Sequence, residues 1–308
     1  LSDRTLLDIK NLVTEFHTDG TVVKAVNDVS FTLNRGETLG IVGESGSGKS
    51  VTFLALMRLL QAPAATIEAD KLELDGSDLL NADAKALSDI RGSLVSMVFQ
   101  DPMTSFDPLF TIGYQISETI QTHGNTGKKA ALAQARELLA KVEIKHPDHV
   151  LKQYPHQLSG GMLQRAMIAM ALSCEPRLLI ADEPTTALDV TVQAQILQLI
   201  TDLQQETGMS LIIITHDLGV IAETVDRVVV MYGGKVMEIG GTLEIFEDPL
   251  NPYTKALIES IPGREAGKRK LIEIPGSSPN ALSPPSGCPF HPRCKMADDK
   301  CASDAPNL

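Results

Sequence analysis

The sequence predicts an α/β fold with a mainly parallel sheet, and two observations support this. Short apolar runs, such as TLGIVG at 38–43, alternate with longer segments in which apolar residues recur at helical spacing. Another run, LIII at 211–214, is apolar throughout, as expected of a strand that is buried on both faces. Buried strands that alternate with helices argue for a mainly parallel sheet with helices packed on it.

Size and charge limit the classes of protein that this chain can be. Its 308 residues, 43% of them hydrophobic, are enough for one large or two modest domains with a substantial core. The 27 basic and 39 acidic residues give a net charge of −12, which disfavours a nucleic-acid-binding protein because such surfaces are usually basic. No apolar run approaches the length of a membrane span, so we expect a soluble, intracellular protein.

The elements before residue 101 are predicted to be mostly strands. The segments 6–16 and 22–33 alternate apolar and polar residues, which is typical of half-buried antiparallel strands and predicts an antiparallel β subdomain. The run 38–43 is predicted to be a buried strand, and the segment 50–60 has the spacing of a helix. Residues 67–100 are predicted to return to strands around a loop.

The rest of the chain divides into three parts. The pattern is helical from about residue 101 to 172, which predicts an inserted helical subdomain. After it, buried strands such as 177–182 and 210–215 again alternate with helices. Beyond residue 260 proline, glycine and serine dominate, so we predict a main domain at 1–260 and a loop-rich tail at 261–308.

The string GESGSGKS, at 43–50, fits the pattern G-x4-G-K-[ST] and lies between a predicted strand and a predicted helix. Gly46 and Gly48 let backbone N–H groups curl around phosphates. Lys49 is expected to reach the β- and γ-phosphates of a nucleotide, and the hydroxyl of Ser50 to bind Mg²⁺. The alternative is a chance match, and the flanking strand and helix argue against it.

Two carboxylates end the apolar strand RLLIADEP at 177–184. Beside a phosphate-binding loop, an acid in this position is the expected second anchor for Mg²⁺, here Asp182. Glu183 would then point past the metal toward the γ-phosphate, where a general base can polarise water. Without such a loop, the two residues would be equally well explained as the end of a strand and the cap of the next turn.

Further candidate residues lie at other strand ends. His216 follows LIIIT, and ligands of open α/β sheets bind outside the carboxyl ends of the strands, so we expect it near Gly43 and Asp182. Gln100 closes VSMVFQ, and its amide could bind Mg²⁺ or orient a water molecule. Phe16 ends the first strand and is a core residue unless an adenine lies close enough to stack on it.

The stretch LSGGM, at 158–162, begins an apolar helical run with a serine and two glycines. Such a helix start offers open backbone N–H groups, a capping hydroxyl and no side chains in the way, so it can hold an anion. A capped helix start explains the serine but not two consecutive glycines, each of which costs helix stability. The chain therefore has a second anion site far from 43–50.

These motifs occur in the order and spacing of the ATPase domain of ABC transporters, which the chain resembles over about residues 6–250. The resemblance rests on GESGSGKS, Gln100, LSGGM, LLIADEP, ALD at 187–189 and His216. It implies an α/β fold of the P-loop NTPase class, an ABC-type ATPase domain with an antiparallel β subdomain, an inserted helical subdomain and a loop-rich C-terminal tail. It also implies ATP and Mg²⁺ as cofactors.

The resemblance implies a role for each residue of these motifs. Phe16 resembles the aromatic residue that stacks on adenine, Glu183 the catalytic base and His216 the sensor of the γ-phosphate. Gln100 resembles the residue that links the metal site to the transmembrane partner. The implied ATP contacts are Phe16, Gly43, Glu44, Ser45, Gly46, Ser47, Gly48, Lys49, Ser50 and Val51. The implied Mg²⁺ ligands are Ser50, Gln100 and Asp182.

The second anion site also has a counterpart in this family. Two ATPase domains hold two ATP molecules head to tail, and LSGG of one domain covers the nucleotide in the phosphate loop of the other. Ser159, Gly160 and Gly161 are therefore expected to contact the ATP of a partner subunit. Met162 stands where the family usually has glutamine, which affects a peripheral contact and not the glycine backbone.

Finer features resemble the D-type ATPase subunits of oligopeptide and dipeptide importers, in the peptide and nickel importer family. They are QDPMTSFDP at 100–108, DEPTTALDVTVQAQI at 182–196, THDLGV at 215–220, NPYTKAL at 251–257 and GCPFHPRC at 287–294. The resemblance implies ATP-driven import of peptides at the cytoplasmic face of the bacterial inner membrane. The implied partners are a paralogous second ATPase in a heterodimer, two permease subunits and an extracytoplasmic peptide-binding protein.

Two alternatives to peptide import stay open. An importer of nickel or another small solute in the same family is possible, because ligand choice resides in other chains. A soluble ABC ATPase that acts on nucleic acid or ribosomes is disfavoured by the net charge of −12 and by the single ATPase cassette.

The tail has three cysteines, Cys288, Cys294 and Cys301, with the spacing C-x5-C-x6-C. Thiolates in a cytosolic setting favour zinc or an iron–sulfur cluster over disulfides, and the wide spacing favours the cluster. Peptide-importer ATPases that resemble this chain carry a [4Fe–4S] cluster at such a tail, so we expect one here, with His291 as a weak candidate for a fourth ligand. A zinc site and three unliganded thiols are the alternatives.

Overall fold

The protein is described from a computed structural model, which covers residues 4–18, 20–124, 126–186, 188–261 and 274–306. The strands are β1 (Thr5–Thr18), β2 (Thr21–Asn34), β3 (Thr38–Val42), β4 (Ala65–Glu68), β5 (Lys71–Leu74), β6 (Ser77–Asp78), β7 (Val95–Val98), β8 (Leu178–Asp182), β9 (Ser210–Ile214), β10 (Arg227–Tyr232) and β11 (Lys235–Gly241). The α-helices are α1 (Lys49–Leu56), α2 (Ala84–Ile90), α3 (Pro102–Ser105), α4 (Ile112–His123), α5 (Lys128–Lys141), α6 (Pro147–Val150), α7 (Gly160–Ala171), α8 (Val190–Thr207), α9 (Leu218–Thr224), α10 (Thr242–Glu247), α11 (Pro252–Glu259) and α12 (Asp299–Ser303). Short 3₁₀ turns lie at Pro155–Gln157 and His291–Arg293.

The chain forms two compact units. The first consists of Leu1–Ala82 and Ile213–Leu308, and the second of Asp83–Ile212, so the chain passes from one unit to the other within β9. Among the helices of the described residues, none combines the length and the apolar character that a membrane crossing requires. The division into a main domain at 1–260 and a tail at 261–308 stays a prediction.

The antiparallel sheet of the first unit is built on a long hairpin of β1 and β2. The strand order is β2-β1-β5-β6, and β4 also pairs with β1. The register runs from Thr5 opposite Asn34 to Thr18 opposite Thr21, so the two segments predicted from alternation are confirmed as antiparallel strands. Phe31 of β2 lies 6.1 Å from Phe53 of α1, measured between ring centroids, and this contact packs α1 against the sheet.

A second group of strands in the first unit carries the phosphate-binding loop. Strand β10 pairs with β3 in parallel and with β11 in antiparallel orientation. Every residue of β3 is buried. At the start of β3, the Asp226 carboxylate accepts a hydrogen bond from the Thr38 N–H at 2.8 Å, and Arg227 pairs with Glu37 at 2.7 Å. The loop that follows Val42 therefore begins at the far end of a strand that is paired with β10 along one edge and is held at its start.

The second unit combines a parallel strand pair with a group of helices. Strands β7 and β8 pair in register from Val95 opposite Leu178 to Val98 opposite Ala181. Ile116 of α4, Leu139 of α5 and Ile168 of α7 are all buried. The helical pattern predicted for residues 101–172 is confirmed, because α3 to α7 lie in this segment.

One helix lies in a segment for which strands around a loop were predicted, at 67–100. Helix α2 begins after Asp83, whose carboxylate accepts a hydrogen bond from the Ala86 N–H at 2.8 Å. None of the residues of α2 is buried. Apolar periodicity therefore could not predict this helix. The N-cap is the local interaction that starts it.

Two leucines of α5 test the helical core of the second unit. Leu139 is fully buried, whereas Leu132, two turns earlier on the same helix, is 44% exposed. We expect Leu139→Ala to lower the free energy of unfolding by about 2–5 kcal/mol, because it removes buried methyl groups and leaves a cavity. Leu132→Ala, the matched control, should change it by less than about 0.5 kcal/mol. Urea unfolding followed by far-UV circular dichroism measures both, and equal losses would contradict the packing described here.

Candidate nucleotide site

The loop at 43–50 adopts a backbone that only glycine supports at several points. Gly43, Gly46 and Gly48 have φ values of +150°, +77° and +96°. A Cβ on Gly43 would lie 2.1 Å from the carbonyl oxygen of Met231, and a Cβ on Gly48 would lie 2.6 Å from that of Ala25. The backbone of the loop is therefore packed directly against neighbouring strands, with no room for side chains between them.

Two polar side chains of this loop, Ser47 and Lys49, are buried. The Lys49 ammonium donates hydrogen bonds to the carbonyl oxygens of Gly43, at 2.8 Å, and Glu44, at 3.1 Å. Lys49 is only 6% exposed. The Ser47 hydroxyl is buried and has no hydrogen-bond partner among the described residues. Helix α1 has Gly48 as its N-cap, with no side-chain capping bond.

These features fit the triphosphate of a nucleotide. An anion is favoured at a helix N-terminus, because the helix dipole and the open N–H groups both point at it. The unpaired Ser47 hydroxyl and the glycine backbone provide further contacts that a phosphate oxygen satisfies. Ser50, in the first turn of α1, is placed to supply the hydroxyl that such loops give to Mg²⁺.

The second unit brings Gln100 and Glu183 together. Strands β7 and β8 are parallel, so the residues that follow them lie at the same edge. The Gln100 amide donates a hydrogen bond to Glu183 Oε2 at 2.9 Å, and the Thr186 hydroxyl donates to the same oxygen at 2.9 Å. Glu183 has a φ of +45°, which is uncommon for a residue with a side chain. Two donors and an unusual backbone thus fix the direction of this carboxylate.

The remaining candidates lie at the predicted strand ends. Asp182 is the last residue of β8 and is 5% exposed. His216 is exposed and follows β9, and the N–H of its neighbour Thr215 donates to the Ile41 carbonyl at 3.2 Å, which brings this end of the chain beside β3 in the first unit. Phe16 lies in β1 opposite Val23. Asp182 belongs to the second unit, so the structure does not place it in one unit with His216 and the loop.

The start of α7 has the features expected of an anion site. Ser159 is the N-cap, and its hydroxyl accepts a hydrogen bond from the Met162 N–H at 3.4 Å. Ser159 and Gly160 are exposed. A Cβ on Gly160 would meet only Leu188 Cδ2, at an ordinary 3.5 Å, whereas a Cβ on Gly161 would lie 3.0 Å from Val192 Cγ1. The fold of this chain therefore does not itself require glycine at position 160.

Sequence reasoning missed the residues that hold Glu44. The Glu44 N–H donates to the Tyr253 hydroxyl at 3.0 Å, and Arg293 pairs with the Glu44 carboxylate at 2.7 Å. Tyr253 lies in NPYTKAL and Arg293 in GCPFHPRC, and no function was predicted for either residue. No spacing rule relates them to the loop, because Arg293 is 249 residues away from Glu44 along the chain.

The fold and this site define a P-loop ATPase. Residues 26–186 match the family model described as "ABC transporter", and residues 237–301 match the one described as "Oligopeptide/dipeptide transporter, C-terminal region". The chain belongs to the ABC transporter family, as an ATP-hydrolysing member of it. The fold class predicted from the sequence is confirmed.

Curated relatives are similar over nearly the whole chain. The chain is 50% identical to the oligopeptide transport ATP-binding protein OppD of Haemophilus influenzae over 296 residues, which cover 96% of this chain and 91% of that protein. It is 48% identical to the dipeptide transport ATP-binding protein DppD of the same organism, with 98% and 92% covered. It is 49% identical to the oligopeptide transport ATP-binding protein AppD of Bacillus subtilis, with 99% and 93% covered.

Solved structures agree with the family. A bacterial ABC transporter cassette, described as dimeric, matches with a TM-score of 0.68 and 28% identity over 77% of this chain and 98% of that one. A dimeric ATP-binding cassette in a post-hydrolysis state with ADP and phosphate matches with a TM-score of 0.66 and 27% identity, again over 77% and 98%.

The predicted [4Fe–4S] cluster on Cys288, Cys294 and Cys301 is wrong. Among the described residues, which include all three cysteines, no group of three or more histidine, cysteine or acidic side chains is arranged to hold a metal ion. The Cys288 N–H donates a hydrogen bond to the Cys301 carbonyl oxygen at 2.9 Å, and the Cys294 thiol accepts one from the Met296 N–H at 3.4 Å. A cluster needs its thiolates directed to one point, and this tail is held by other contacts. The zinc alternative meets the same objection.

Gly43 tests the geometry of the loop. We expect Gly43→Ala to weaken MgATP binding by at least about tenfold, which corresponds to about 1.4 kcal/mol, because the added Cβ would displace the loop from Met231. Gly20 is the matched control, since its φ is +83° but no atom lies within 4 Å of an added Cβ. Gly20→Ala should cost about 1 kcal/mol of stability and leave binding unchanged. Calorimetric titration decides, and normal affinity in Gly43→Ala would refute the role of this close contact.

Proposed function

We propose that this chain hydrolyses ATP to power the import of oligopeptides or dipeptides through a membrane transporter. The observation that carries the proposal is the match of residues 237–301 to the C-terminal region of oligopeptide and dipeptide transporters, in a chain that also has a phosphate-binding loop. Its curated relatives are named for oligopeptide and dipeptide transport. By its similarity to these relatives, the chain is proposed to act at the cytoplasmic face of the inner membrane, bound to permeases.

The proposed nucleotide contacts follow the family motifs. The loop residues 43–51 bind the phosphates of ATP, Lys49 contacts the β- and γ-phosphates, and Phe16 stacks on the adenine. Ser50, Gln100 and Asp182 hold Mg²⁺, which neutralises charge on the phosphates when it is bound. His216 senses the γ-phosphate.

Glu183 is proposed to be the general base. A base must aim one carboxylate oxygen at the water that it polarises. The hydrogen bonds from Gln100 and Thr186 both end on Oε2, which fixes the orientation of the group. Gln100 is thus proposed to position the base in addition to its contact with the metal, and a change at Gln100 that is driven by a permease would be transmitted to Glu183.

The start of α7 is proposed to cover the ATP of a second ATPase subunit. Gly160 is exposed, and the fold of this chain leaves room for a Cβ at that position. Glycine lowers the stability of the helix there, and no contact among the described residues requires it. A ligand that approaches the backbone from outside explains this choice. The proposed assembly is a heterodimer with a paralogous ATPase, two permeases and an extracytoplasmic peptide-binding protein.

Isolation of the transporter tests the substrate. The chain is tagged and purified from its native membrane, the associated permeases and binding protein are identified, and ATPase activity is measured in proteoliposomes with peptides and with Ni²⁺. Stimulation by peptides supports the proposal. Stimulation by Ni²⁺ alone would replace it with the nickel-importer alternative, and association with ribosomes or nucleic acid in place of permeases would remove transport altogether.

We expect Glu183→Gln to reduce ATP turnover by about 10²–10⁴, the usual contribution of a positioned general base, while MgATP binding is retained. Steady-state hydrolysis by the assembled transporter measures this. Glu175→Gln is the matched control, because Glu175 also has a positive φ, of +51°, but is exposed in a turn. Near-normal turnover in Glu183→Gln would remove Glu183 from the role of base.

We expect Ser159→Arg to block hydrolysis at the phosphate loop of the partner ATPase while this chain still binds nucleotide at its own loop. A bulky cation would fill the helix start that is meant for a γ-phosphate. Thr111→Arg is the control, since it removes an N-cap of the same kind from α4. Photo-crosslinking of an azido-ATP to each subunit gives the readout. Loss of label from this chain's own loop instead would contradict the arrangement in trans.

A further inference from the structure

The C-terminal tail of the chain contacts the phosphate-binding loop through one ion pair. Arg293 Nη1 donates to Glu44 Oε2 at 2.7 Å, and the Ser278 hydroxyl donates to the same oxygen. The side chains of Arg293 and Glu44 are 7% and 22% exposed, so this is a largely buried pair and not a solvated surface contact. Removal of one partner of such a pair leaves the other charge buried without compensation.

The guanidinium of Arg293 is fixed by the tail and by β10. Its Nε donates to the carbonyl oxygen of Pro275 at 2.8 Å, its Nη2 to that of Ile274 at 3.2 Å, and its Nη1 also to the Tyr232 hydroxyl at 3.0 Å. These acceptors occupy donors on all three nitrogens of the planar group. A rigid fork of this kind holds a carboxylate in one place, which a flexible ammonium does less well.

An aromatic cluster anchors the same part of the tail. The rings of Tyr232, Tyr253 and Phe290 lie 4.5 to 5.4 Å apart between centroids. Burial raises the pKa of Tyr253, so its hydroxyl stays protonated while its oxygen accepts the Glu44 N–H at 3.0 Å. Glu44 is therefore held by its side chain from the tail and by its backbone from α11.

The position of Glu44 bears directly on Lys49. The Lys49 ammonium donates to the carbonyl oxygen of Glu44, so a shift of this peptide moves an acceptor of the lysine that the loop directs to phosphate. The charge of Glu44 matters too, because an uncompensated carboxylate in the loop would repel the triphosphate. Burial on its own would raise the pKa of Glu44, but the hydrogen bonds from Arg293 and Ser278 outweigh it and hold the pKa below its usual value.

We propose that Arg293 is a positioning residue of the ATP site, which neutralises the Glu44 carboxylate and thereby keeps the loop correctly placed for phosphate. The C-terminal tail then contributes to the affinity of the chain for MgATP, although it need not touch the nucleotide. The inference rests on the proposed binding of ATP at residues 43–51. It gives the C-terminal tail a role at the ATP site.

Titration of MgATP into the purified full-length chain tests this. Arg293→Ala should raise the Kd by about tenfold, within the range of coupling between linked sites. Addition of Glu44→Ala should then recover part of the loss, because the unpaired carboxylate is gone, so the two changes are not additive. Arg293→Lys should raise the Kd less than Arg293→Ala does, because lysine keeps the positive charge but lacks the planar guanidinium group.

A second ion pair of the same unit provides the control. Arg227 and Glu37 are also 2.7 Å apart, with side chains 30% and 8% exposed, at the start of β10 and β3 and not at the loop. Arg227→Ala should lower the melting temperature and leave the Kd unchanged. A purely structural Arg293 would behave in the same way, so a fall in melting temperature with an unchanged Kd in Arg293→Ala would overturn the inference, as would additive losses in the double variant.

Milder variants cover the case in which Arg293→Ala does not fold. Tyr232→Phe removes a single hydrogen bond to Arg293, and Arg293→Lys keeps the charge; a raised Kd in both supports the inference and an unchanged Kd in both overturns it. Failure of the unaltered chain to bind MgATP would instead overturn the proposed function and the inference with it. Normal binding by the unaltered chain and by every variant would overturn the inference alone.

Discussion

The first unit is organised around one constraint, which is that backbone N–H groups must approach phosphate oxygens with no side chain between them. Glycine meets this constraint at position 43, where a Cβ would collide with Met231. The close approach is possible only because β3 is buried and paired in parallel with β10, so the start of the loop cannot drift. The geometry of the loop is thus a consequence of strand packing and not of the loop sequence alone.

The two helix starts that are proposed to bind anions differ in how they are capped. At α1, where the chain is proposed to bind the phosphates of its own ATP, the N-cap is Gly48, which provides no side-chain capping bond. At α7 the N-cap is Ser159, whose hydroxyl occupies the Met162 N–H and stabilises the helix by itself. In the proposed assembly this site is completed by another subunit, so it would have to keep its shape when that subunit is apart, and a side-chain cap provides this.

Sequence patterns predicted those features that depend on local rules. Alternation of apolar residues predicted the antiparallel strands β1 and β2, and the apolar run at 177–182 predicted the buried strand that ends at Asp182. Local rules failed for contacts between distant segments, of which the pair Glu44–Arg293 is the clearest. They also failed to predict that the tail cysteines, which are all among the described residues, form no metal site, because the spacing of cysteines along the chain does not determine the directions of their thiols.

The tail illustrates how an acidic residue can be tolerated in a loop made for a polyanion. A carboxylate close to a triphosphate opposes binding, and the effect is larger where solvent is excluded, since the effective dielectric constant is lower there. One remedy is a cation with fixed geometry, and Arg293 has it because Pro275, Ile274 and Tyr232 accept its other hydrogen bonds. The Lys49 ammonium donates to the carbonyl oxygens of Gly43 and Glu44 and is proposed to contact the phosphates. Because Arg293 compensates its charge, Glu44 can be present in the loop while Lys49 stays available for the phosphates. Glu44 in turn gives the tail a fixed point of attachment to the loop.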